Sequence, residues 1–461
     1  MARTKHSVAA RSNANNESGW CAGFAECDMT PPLGRPMAGF GRERYATGIL
    51  APLRAQALAL RDSSGRCGMI LTADMLAFDP VALEMLRHQL GIRHGLDPAG
   101  VLLCPSHTHW GPGMIYRMDF YAGLPDVFTM RRTHRLLLEL AGRAIQSLAP
   151  ATVEYTALET RIGFNRRLPL ADGTIGWGPN PDGHYDTHTP VLRVNRKTAT
   201  GERQARNGGL PADPHSIILV GHACHPTSTG TTDRWSPDYP GAMRDAIEKR
   251  LGEGTRAMFV MGCGANAKVT HKDPASGLPV FSAEPRRARQ AGHRLAGAVL
   301  RHLAKNPCTP IDATLAFRRA SAPLLLARRP GLETIRRLAF DDSGNSSDFH
   351  WAQQSLAFPD PRTAHTYEAV AWILGNQLTV FGLPDEVCSP VGPRTRAQAR
   401  TPLAMTIGYA NSVQCYIPTD TIIREGGYEG KTSHRAYFMP APFAPRIDKD
   451  YTALIKRLVS R

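Results

Sequence analysis

The stretch VLLCPSHTHW (101–110) places two histidines, His107 and His109, directly after a short apolar run. Such a run is typical of a buried strand, and the Gly-Pro-Gly at 111–113 is typical of the loop that follows one. If the strand pairing persists to the end of this stretch, both imidazoles point to the same side. Two imidazoles with a shared direction suit a metal ion, or one metal ligand beside one proton donor. A hydrogen-bonded structural pair is the alternative that this stretch alone leaves open.

The same alternation of apolar runs and helical patterns continues along the chain. Short apolar runs predict strands at 68–76, 99–106, 216–224, 257–264, 378–386 and 403–411. Apolar residues at three- and four-residue spacing predict helices at 81–92, 133–148 and 284–305. We therefore expect an α/β fold with a mixed β-sheet core and flanking helices. In open sheets of this kind, ligands bind beyond the carboxyl ends of the strands, so polar residues just past the runs are candidates for a site.

Three further runs deliver polar residues at such positions. His222 and His225 lie at the end of one run, Asp385 and Glu386 at the end of another, and Tyr416 just beyond a third. His225 fits either a metal ligand or a capping side chain. Glu386 fits either a hard ligand for zinc or an acid at a helix N-terminus. Tyrosine is a rare metal ligand, so Tyr416 is a candidate only if other ligands, such as His225 and Glu386, lie beside it.

Composition limits the class of protein. The chain has 461 residues and a formal net charge of +15, but its arginines are dispersed, as in the helix predicted at 284–305. Dispersed arginines indicate a solvated surface, and we expect no nucleic-acid partner. No apolar run reaches the ~18–20 residues needed to cross a bilayer, so no transmembrane segment is expected. The nine cysteines lie singly and no secretory signal is seen, which favours reduced thiols in the cytoplasm.

The chain is predicted to form one catalytic unit over residues 19–461, with room for a boundary between two lobes near residue 310. Residues 1–18 are polar and are expected to be a disordered tail. Polar stretches at 195–214 and 340–349 are expected to be exposed excursions. Nothing in the sequence indicates an oligomeric state.

Six stretches, in a consistent order from about residue 20 to about residue 435, resemble the catalytic domain of the neutral/alkaline non-lysosomal ceramidase family. They are AGFAECDMTPPLGRPMAGFG (22–41), SHTHWGPG (106–113), GFNRRLPLADGT with GPNPDG (163–183), HACHPTSTG with SPDYPGAM (222–243), LPDE (383–386), and GYANSVQCYIPT with GGYEG (408–430). Six ordered motifs are far more specific than any one of them. The resemblance implies the mixed α/β catalytic domain of that family.

The resemblance also implies a zinc site. By motif, its four ligands are His107, His225, Glu386 and Tyr416. His109 matches a position beside the metal that helps to polarise the substrate. The implied cofactor is Zn²⁺, and Fe²⁺ or Mn²⁺ suits a site of two histidines, a carboxylate and a phenol as well.

Two further positions follow from the same motifs. Arg166 matches an arginine near the scissile group, and Asp238 matches a residue that supports the site from behind. The implied reaction is hydrolysis of an amide by metal-activated water. His109, Arg166 and Tyr416 are then the donors expected to stabilise the developing oxyanion, and His109 is the candidate acid for the leaving amine.

The sequence also departs from the family pattern. The family carries a serine beside the zinc in a G-D-V-S-P segment, whereas the matching GCGANAKVT (262–270) has Ala265 and Ala267 at the aspartate and serine positions. Neither a secretory signal nor a C-terminal immunoglobulin-like domain is expected from this sequence. A soluble small-molecule amide or ester is therefore the expected substrate, rather than ceramide in a membrane.

Two other functions remain open on the sequence alone. The missing serine is compatible with an esterase, a lactonase or another metal-dependent reaction at the same site. The altered segment at 262–270 is also compatible with a binding protein that kept the fold and lost the chemistry. Cys104, Cys224, Cys263 and Cys415 are expected to be small buried side chains, although Cys224 adjoins His225 and is an alternative ligand.

Overall fold

A computed structural model describes residues 19–40, 43–115, 126–197, 214–341 and 346–460. The tail expected at 1–18 and most of the excursion expected at 195–214 lie outside these residues. No helix among the described residues is both long enough and apolar enough to cross a bilayer.

The strands are short and distributed along the whole chain. In the first half they are β1 (Trp20–Asp28), β2 (Gly48–Ile49), β3 (Arg54–Arg61), β4 (Cys67–Ala73), β5 (Val101–Pro105), β6 (Ala149–Glu159), β7 (Gly163–Pro169), β8 (Ile175–Asn180), β9 (His188–Arg196) and β10 (Ser216–His222). In the second half they are β11 (Arg234–Trp235), β12 (Thr255–Met261), β13 (Ala267–Lys272), β14 (Pro279–Phe281), β15 (Thr309–Pro310), β16 (Leu315–Leu325), β17 (Ala364–Leu374), β18 (Leu378–Gly382), β19 (Glu386–Val387), β20 (Leu403–Ile407) and β21 (Tyr416–Ile417).

The helices connect these strands. They are α1 (Pro80–His94), α2 (Val127–Gln146), α3 (Asp238–Leu251), α4 (Pro285–Lys305), α5 (Leu332–Ala339), α6 (Ser346–Ala357), α7 (Val391–Arg396), α8 (Asp420–Glu425), α9 (Ser433–Ala436) and α10 (Ile447–Val459). Local chemistry fixes the ends of α1: the Asp79 side chain accepts from the Val81 N–H, Pro80 opens the first turn, and Gly95 ends the helix at a φ of 66°.

Two large sheets build the core. The first has the order β12-β10-β9-β6-β1-β3-β4-β5, with β15 paired to β6, and the second has the order β16-β17-β18-β20. Parallel pairs occur in both, namely β4 with β5, β10 with β12 and β18 with β20, while the other neighbours are antiparallel. A smaller antiparallel sheet, β14-β13-β7-β8, lies beside them. The predicted α/β fold with mixed sheets and flanking helices is confirmed.

One apolar cluster joins the two large sheets. Leu58 and Ile70 of the first sheet belong to the same buried cluster as Trp372 and Val380 of the second. The second sheet begins at Leu315, a few residues beyond the lobe boundary expected near residue 310. Because the buried cluster is continuous across both sheets, we describe one core, and the division into lobes stays a prediction.

The predicted strands and helices are all present, with shifted ends. The strand expected at 378–386 is two strands, β18 and β19, separated by a turn at 383–385. The helix expected at 133–148 begins earlier, at Val127, because Asp126 caps it by accepting from the Phe128 N–H. The prediction of an exposed excursion at 340–349 is wrong for its last four residues, because α6 begins at Ser346.

Candidate metal centre

The carboxyl ends of the three parallel strand pairs in the two large sheets meet at one place. Backbone hydrogen bonds hold these ends together: Gly408 N–H donates to the Met261 carbonyl over 2.8 Å, and Asn411 N–H donates to the Leu103 carbonyl over 2.6 Å. The segments that follow β5, β10, β18 and β20 therefore share one region, as expected for a site beyond strand ends. His107, His225, Glu386 and Tyr416 all lie on these segments.

Three of the candidate ligands form a closed triangle of donor atoms. The His107 Nε2 atom lies 3.1 Å from the His225 Nε2 atom. The Glu386 Oε2 atom lies 3.6 Å from the first of these nitrogens and 3.5 Å from the second. All three side chains are at least 95% buried.

These separations fit a tetrahedral ion. With bonds of about 2.0–2.1 Å, two ligands of a tetrahedral zinc lie about 3.3 Å apart. The three measured edges, 3.1, 3.5 and 3.6 Å, bracket that value. Two imidazoles and one carboxylate are also the donor types that zinc favours, so the residues present fit the ion that the motifs imply.

The second ring nitrogens of the two histidines are oriented by other groups. His107 Nδ1 lies 2.7 Å from the Leu76 carbonyl, so this nitrogen carries the proton and Nε2 presents a lone pair to the triangle. His225 Nδ1 lies 3.3 Å from the Tyr409 hydroxyl. Burial lowers the pKa of His107 to about 3, and burial together with neighbouring positive charge lowers the pKa of His225 well below its usual value. Both imidazoles are therefore neutral near pH 7, as metal binding requires.

His109 reaches the same centre by a different backbone path from the one its sequence suggests. The strand ends at Pro105, and His107 adopts a left-handed φ of 61°, so strand alternation does not continue through the two histidines. Even so, nitrogens of His107, His109 and His225 lie within 4.8 Å of one another. The prediction that strand alternation points both imidazoles to the same side is wrong, but His107 and His109 do lie close together.

One ring nitrogen of His109 lacks a partner in the part of the chain that the structure describes. Its Nδ1 atom donates to the Gly39 carbonyl, which leaves a lone pair on Nε2. That Nε2 atom is buried and has no hydrogen-bond partner among the described residues. A buried polar atom without a partner is costly, so its position beside the triangle indicates a ligand or substrate group that completes it.

Three tyrosines surround the Glu386 carboxyl group. Tyr437 donates to Oε1, and the Tyr409 hydroxyl lies 3.5 Å from Oε2. Burial raises the pKa of Glu386 to about 7, although hydrogen bonds from Tyr437 and Tyr416 lower it in part. Tyr416 thus lies at the carboxylate, while the three closest donors of the centre remain the two imidazoles and Glu386.

Arg166 links Tyr416 to a buried ion pair. Its Nη2 donates to the Tyr416 hydroxyl over 3.1 Å, and its Nε donates to Glu429 over 2.7 Å. Burial by itself would raise the pKa of Glu429, but the guanidiniums of Arg166 and Arg167 outweigh it and hold that pKa below its usual value. Arg166 is therefore a fixed cation beside the centre, where the motifs place it.

Asp238 lies behind the centre rather than in it. Its carboxylate accepts from the Ser228 and Thr229 hydroxyls, each over 2.6 Å, and from the Ser228 N–H over 2.9 Å. These contacts fix the loop that follows His225, which is the supporting position expected from its motif.

Two neighbouring candidates do not reach the centre. His222 is held between the Tyr185 hydroxyl and the Thr189 hydroxyl, each at 2.9 Å, and is a structural histidine. The Cys224 thiol is buried, which raises its pKa to about 12. Neither residue belongs to a metal-sized group in the described part of the chain.

Sequence reasoning missed four residues at the centre: Tyr409, Lys268, Glu429 and Tyr437. Tyr409 and Glu429 stand inside quoted motifs, GYAN and GGYEG, which was the only signal available for them. Lys268 directly follows Ala267, whose methyl group is fully buried at the start of β13. Burial and, to a smaller extent, the charge of Arg166 lower the pKa of Lys268 to about 8.

A second group of buried donors lies next to the first. His365 Nε2 lies 2.8 Å from Asp385 Oδ2, and Cys415 completes a group whose donor atoms lie within 4.8 Å of one another. The Asp385 carboxylate also accepts from the Gln414 N–H over 2.7 Å. Because Asp385 and Cys415 each precede a candidate ligand, this group fixes the turn that carries Glu386 and Tyr416.

These features define a class of fold: the chain has the fold of the neutral ceramidases, and the resemblance read from its motifs is confirmed at that level. The crystal structure of neutral ceramidase from Pseudomonas aeruginosa superposes with a TM-score of 0.72 at 19% sequence identity, over 96% of this chain and 74% of that chain. A ceramidase complexed with C2 superposes with a TM-score of 0.70 at 18% identity, over 96% of this chain and 75% of that one. No family model matches the sequence, and no curated protein matches it either.

Proposed function

We propose that this chain is a metal-dependent hydrolase that cleaves the amide bond of a soluble N-acyl compound, with zinc as the expected ion. One observation carries the proposal: the buried triangle of His107 Nε2, His225 Nε2 and Glu386 Oε2, with edges of 3.1, 3.5 and 3.6 Å. The His107 Nε2 lone pair faces the other two atoms, and an ion between the three would bind all of them at once. The shared fold with structures named as ceramidases supports the choice of an amide.

The fourth position has two candidates in this chain. Tyr416 is the residue that its motif implies, and its hydroxyl lies against Arg166 and the Glu386 carboxyl group. His109 offers an unpartnered Nε2 close to both ligand imidazoles. When bound, the ion would polarise an acyl carbonyl and lower the pKa of a water molecule toward neutrality. Fe²⁺ or Mn²⁺ suits the same donors.

The other residues supply binding and proton transfer. The Arg166 guanidinium is fixed by Glu429 and lies where a developing oxyanion needs a donor. Burial lowers the pKa of His109 well below its usual value, so the imidazole is neutral at pH 7. It must therefore accept a proton at Nε2 before it can pass one to the leaving amine.

The missing serine beside the centre bears on which substrate this chain cleaves. Ala267 occupies the position at which the family motif has its serine, and its side chain is a buried methyl group. The hydroxyls near the centre are instead the phenols of Tyr409, Tyr416 and Tyr437. This difference favours an N-acyl metabolite, and an ester of the same acyl group is the alternative that a substrate screen separates.

All nine cysteines are free thiols, which supports the expected reducing compartment. Four of the five buried ones, Cys104, Cys224, Cys388 and Cys415, lie within five residues of a candidate ligand. A cytoplasmic location is part of the proposal.

The test compares Glu386→Gln with Glu253→Gln, an exposed position just before β12, whose opposite end lies at the centre. We expect wild type and the control to bind one zinc ion per chain and to hydrolyse acyl amides. Glu386→Gln should lose the metal and at least about 100-fold in kcat/KM. Metal content by elemental analysis and turnover of paired amide and ester substrates check both parts. Full zinc together with full activity in Glu386→Gln contradicts the proposal.

A further inference from the structure

A row of aromatic rings leads from the surface to the candidate metal centre. The Trp177 side chain is 54% exposed, and its ring centroid lies 6.0 Å from that of Tyr428 and 6.4 Å from that of Phe281. The Tyr428 ring lies 5.3 Å from the Tyr416 ring beside Glu386. We name Trp177, Phe281, Tyr428 and Tyr416 the aromatic strip. An exposed tryptophan that continues through half-buried rings to the buried Tyr416 ring is a surface that an apolar ligand group fits.

Two cations lie along the aromatic strip. The Arg166 Cζ atom lies 4.4 Å from the Trp177 ring centroid, and the Lys268 Nζ atom lies 5.3 Å from the Phe281 ring centroid. Lys268 is also close to the centre itself, because its backbone forms a bridge with that of His225. Its charge contributes, after burial, to the low pKa of His109 and His225.

Among the described residues, no carboxylate pairs with the positive charge of Lys268. Within the described residues, no carboxylate lies within ion-pair distance of its ammonium group, and no hydrogen bond satisfies it. Arg166 and Arg167, by contrast, share Glu429, at 2.7 and 3.0 Å. The acid with the strongest effect on Lys268 is Asp238, whose oxygens are occupied by Ser228 and Thr229.

Arg166 adds donor capacity beside the same aromatic strip. Its Nε and Nη2 bind Glu429 and Tyr416, but no described residue accepts from its Nη1. A cation without an anion and a guanidinium with a free edge therefore flank one apolar strip. Proteins retain partly buried, unpaired charge mainly where a ligand of opposite charge neutralises it.

From this arrangement we infer that the compound cleaved carries a carboxylate close to the scissile amide, with the carboxylate bound by Lys268 and Arg166 and the apolar part lying on the aromatic strip. N-acyl amino acids are the simplest compounds of this class. The inference rests on the proposed function. Hydrolysis consumes one water, breaks the C–N bond and forms a C–O bond, and the water's proton goes to the leaving amine. The products are a carboxylic acid and an amino acid.

The test uses the full chain with acetyl-, octanoyl- and palmitoylglycine, each beside its glycinamide analogue, which has the same scissile amide and no charge. We expect the acid to be preferred over the amide by at least about tenfold, both in kcat/KM for the zinc-loaded protein and in affinity for the metal-free protein. Calorimetry reports the binding.

Three variants assign the preference to the charge. Lys268→Met should reduce the acid-to-amide ratio by about tenfold in both measurements, and Lys268→Arg should keep most of it. Lys272→Met, an exposed lysine at the end of the same strand, is the matched control and should leave the ratio unchanged.

The outcomes separate the two proposals. Tighter binding of the acid that depends on Lys268, without turnover, supports the carboxylate site and contradicts the hydrolase. Equal turnover of acid and amide, unchanged in Lys268→Met, overturns the carboxylate site and leaves the hydrolase standing. If none of these compounds is bound and none is hydrolysed, both proposals are contradicted.

Discussion

Several residues at the candidate centre have backbone conformations that side chains rarely adopt. His107, Asp385 and Tyr409 have φ angles of 61°, 67° and 57°. Each such residue costs on the order of 1–3 kcal/mol unless its surroundings enforce it. Here the surroundings do so, since the hydrogen bonds between strand ends hold the same segments. Strain concentrated at one set of polar side chains is typical of a functional site.

Gly39 decides where the His109 ring can lie. A Cβ atom at this position would lie 2.5 Å from the His109 ring, and the residue has a φ of 104°. We expect Gly39→Ala to lose stability by about 1–3 kcal/mol through backbone strain and also to displace His109. Thermal unfolding and kcat/KM measure the two effects separately, and kcat/KM should fall at least about tenfold.

Gly34 provides the matched control. Its φ is 77°, but no atom of the described residues lies within 4 Å of the place that a Cβ atom would take there. Gly34→Ala should therefore carry the backbone cost and keep full activity. If the two variants lose activity equally, the contact between Gly39 and His109 does not matter for function.

The raised pKa of Glu386 predicts how the metal-free protein responds to pH. Burial raises this pKa from 4.5 to about 7, so the folded state holds a proton that the unfolded state releases between these values. The contribution of Glu386 to stability is then complete below pH 4.5 and is lost as the pH rises through 7. The stability advantage of metal-free wild type over Glu386→Gln should shrink over this range, measured by denaturant unfolding. An advantage that grows with pH would show that the carboxyl group is already ionised at low pH.

At the scale of elements, a very short ladder sets the positions of two candidate ligands. Strands β19 and β21 contain two residues each, and they pair Glu386 directly with Tyr416. The turn before β19 is held by the Asp385 carboxylate, which contacts His365 and the Gln414 N–H. The ladder alone is too short to be stable, so these side-chain contacts determine the geometry.

Removing the Asp385 carboxylate should weaken metal binding without unfolding the chain. Glycine tolerates the φ of 67° at this position, so Asp385→Gly removes the side-chain contacts without adding backbone strain. We expect zinc affinity to fall about 10–100-fold in competition with a chromophoric chelator. Asp385→Asn keeps an acceptor for the Gln414 N–H and should lose less. Wild-type zinc affinity in Asp385→Gly would mean that the β19–β21 ladder positions Glu386 and Tyr416 without the Asp385 side chain.

The elements that the sequence predicted are those with a strong local pattern. The amphipathic helix at 284–305 and the apolar strand at 216–224 are present as α4 and β10, because their periodicity reflects which side is buried. Tyr437 and Lys268 could not be found in this way. Their roles depend on contacts with Glu386 and His225, which lie about 50 and 40 residues away in sequence.

At the scale of the whole molecule, the candidate centre exists only because two sheets end at the same place. His107 and His225 come from the first sheet, and Glu386 and Tyr416 come from segments that follow the second. The apolar cluster shared by the sheets keeps their strand ends in register. Periodicity could predict each strand but not this packing, whereas the order of the six motifs indicated it through the resemblance to a known fold.

The central claim is that side chains from both sheets hold one divalent ion. The most direct measurement is an anomalous-difference map, recorded at the zinc edge, from crystals of the full chain grown with zinc. We predict a peak about 2.0–2.1 Å from the Nε2 atoms of His107 and His225, and at a similar distance from a Glu386 oxygen. Absence of a peak within the triangle, or a peak only at the His365, Asp385 and Cys415 group, would contradict it.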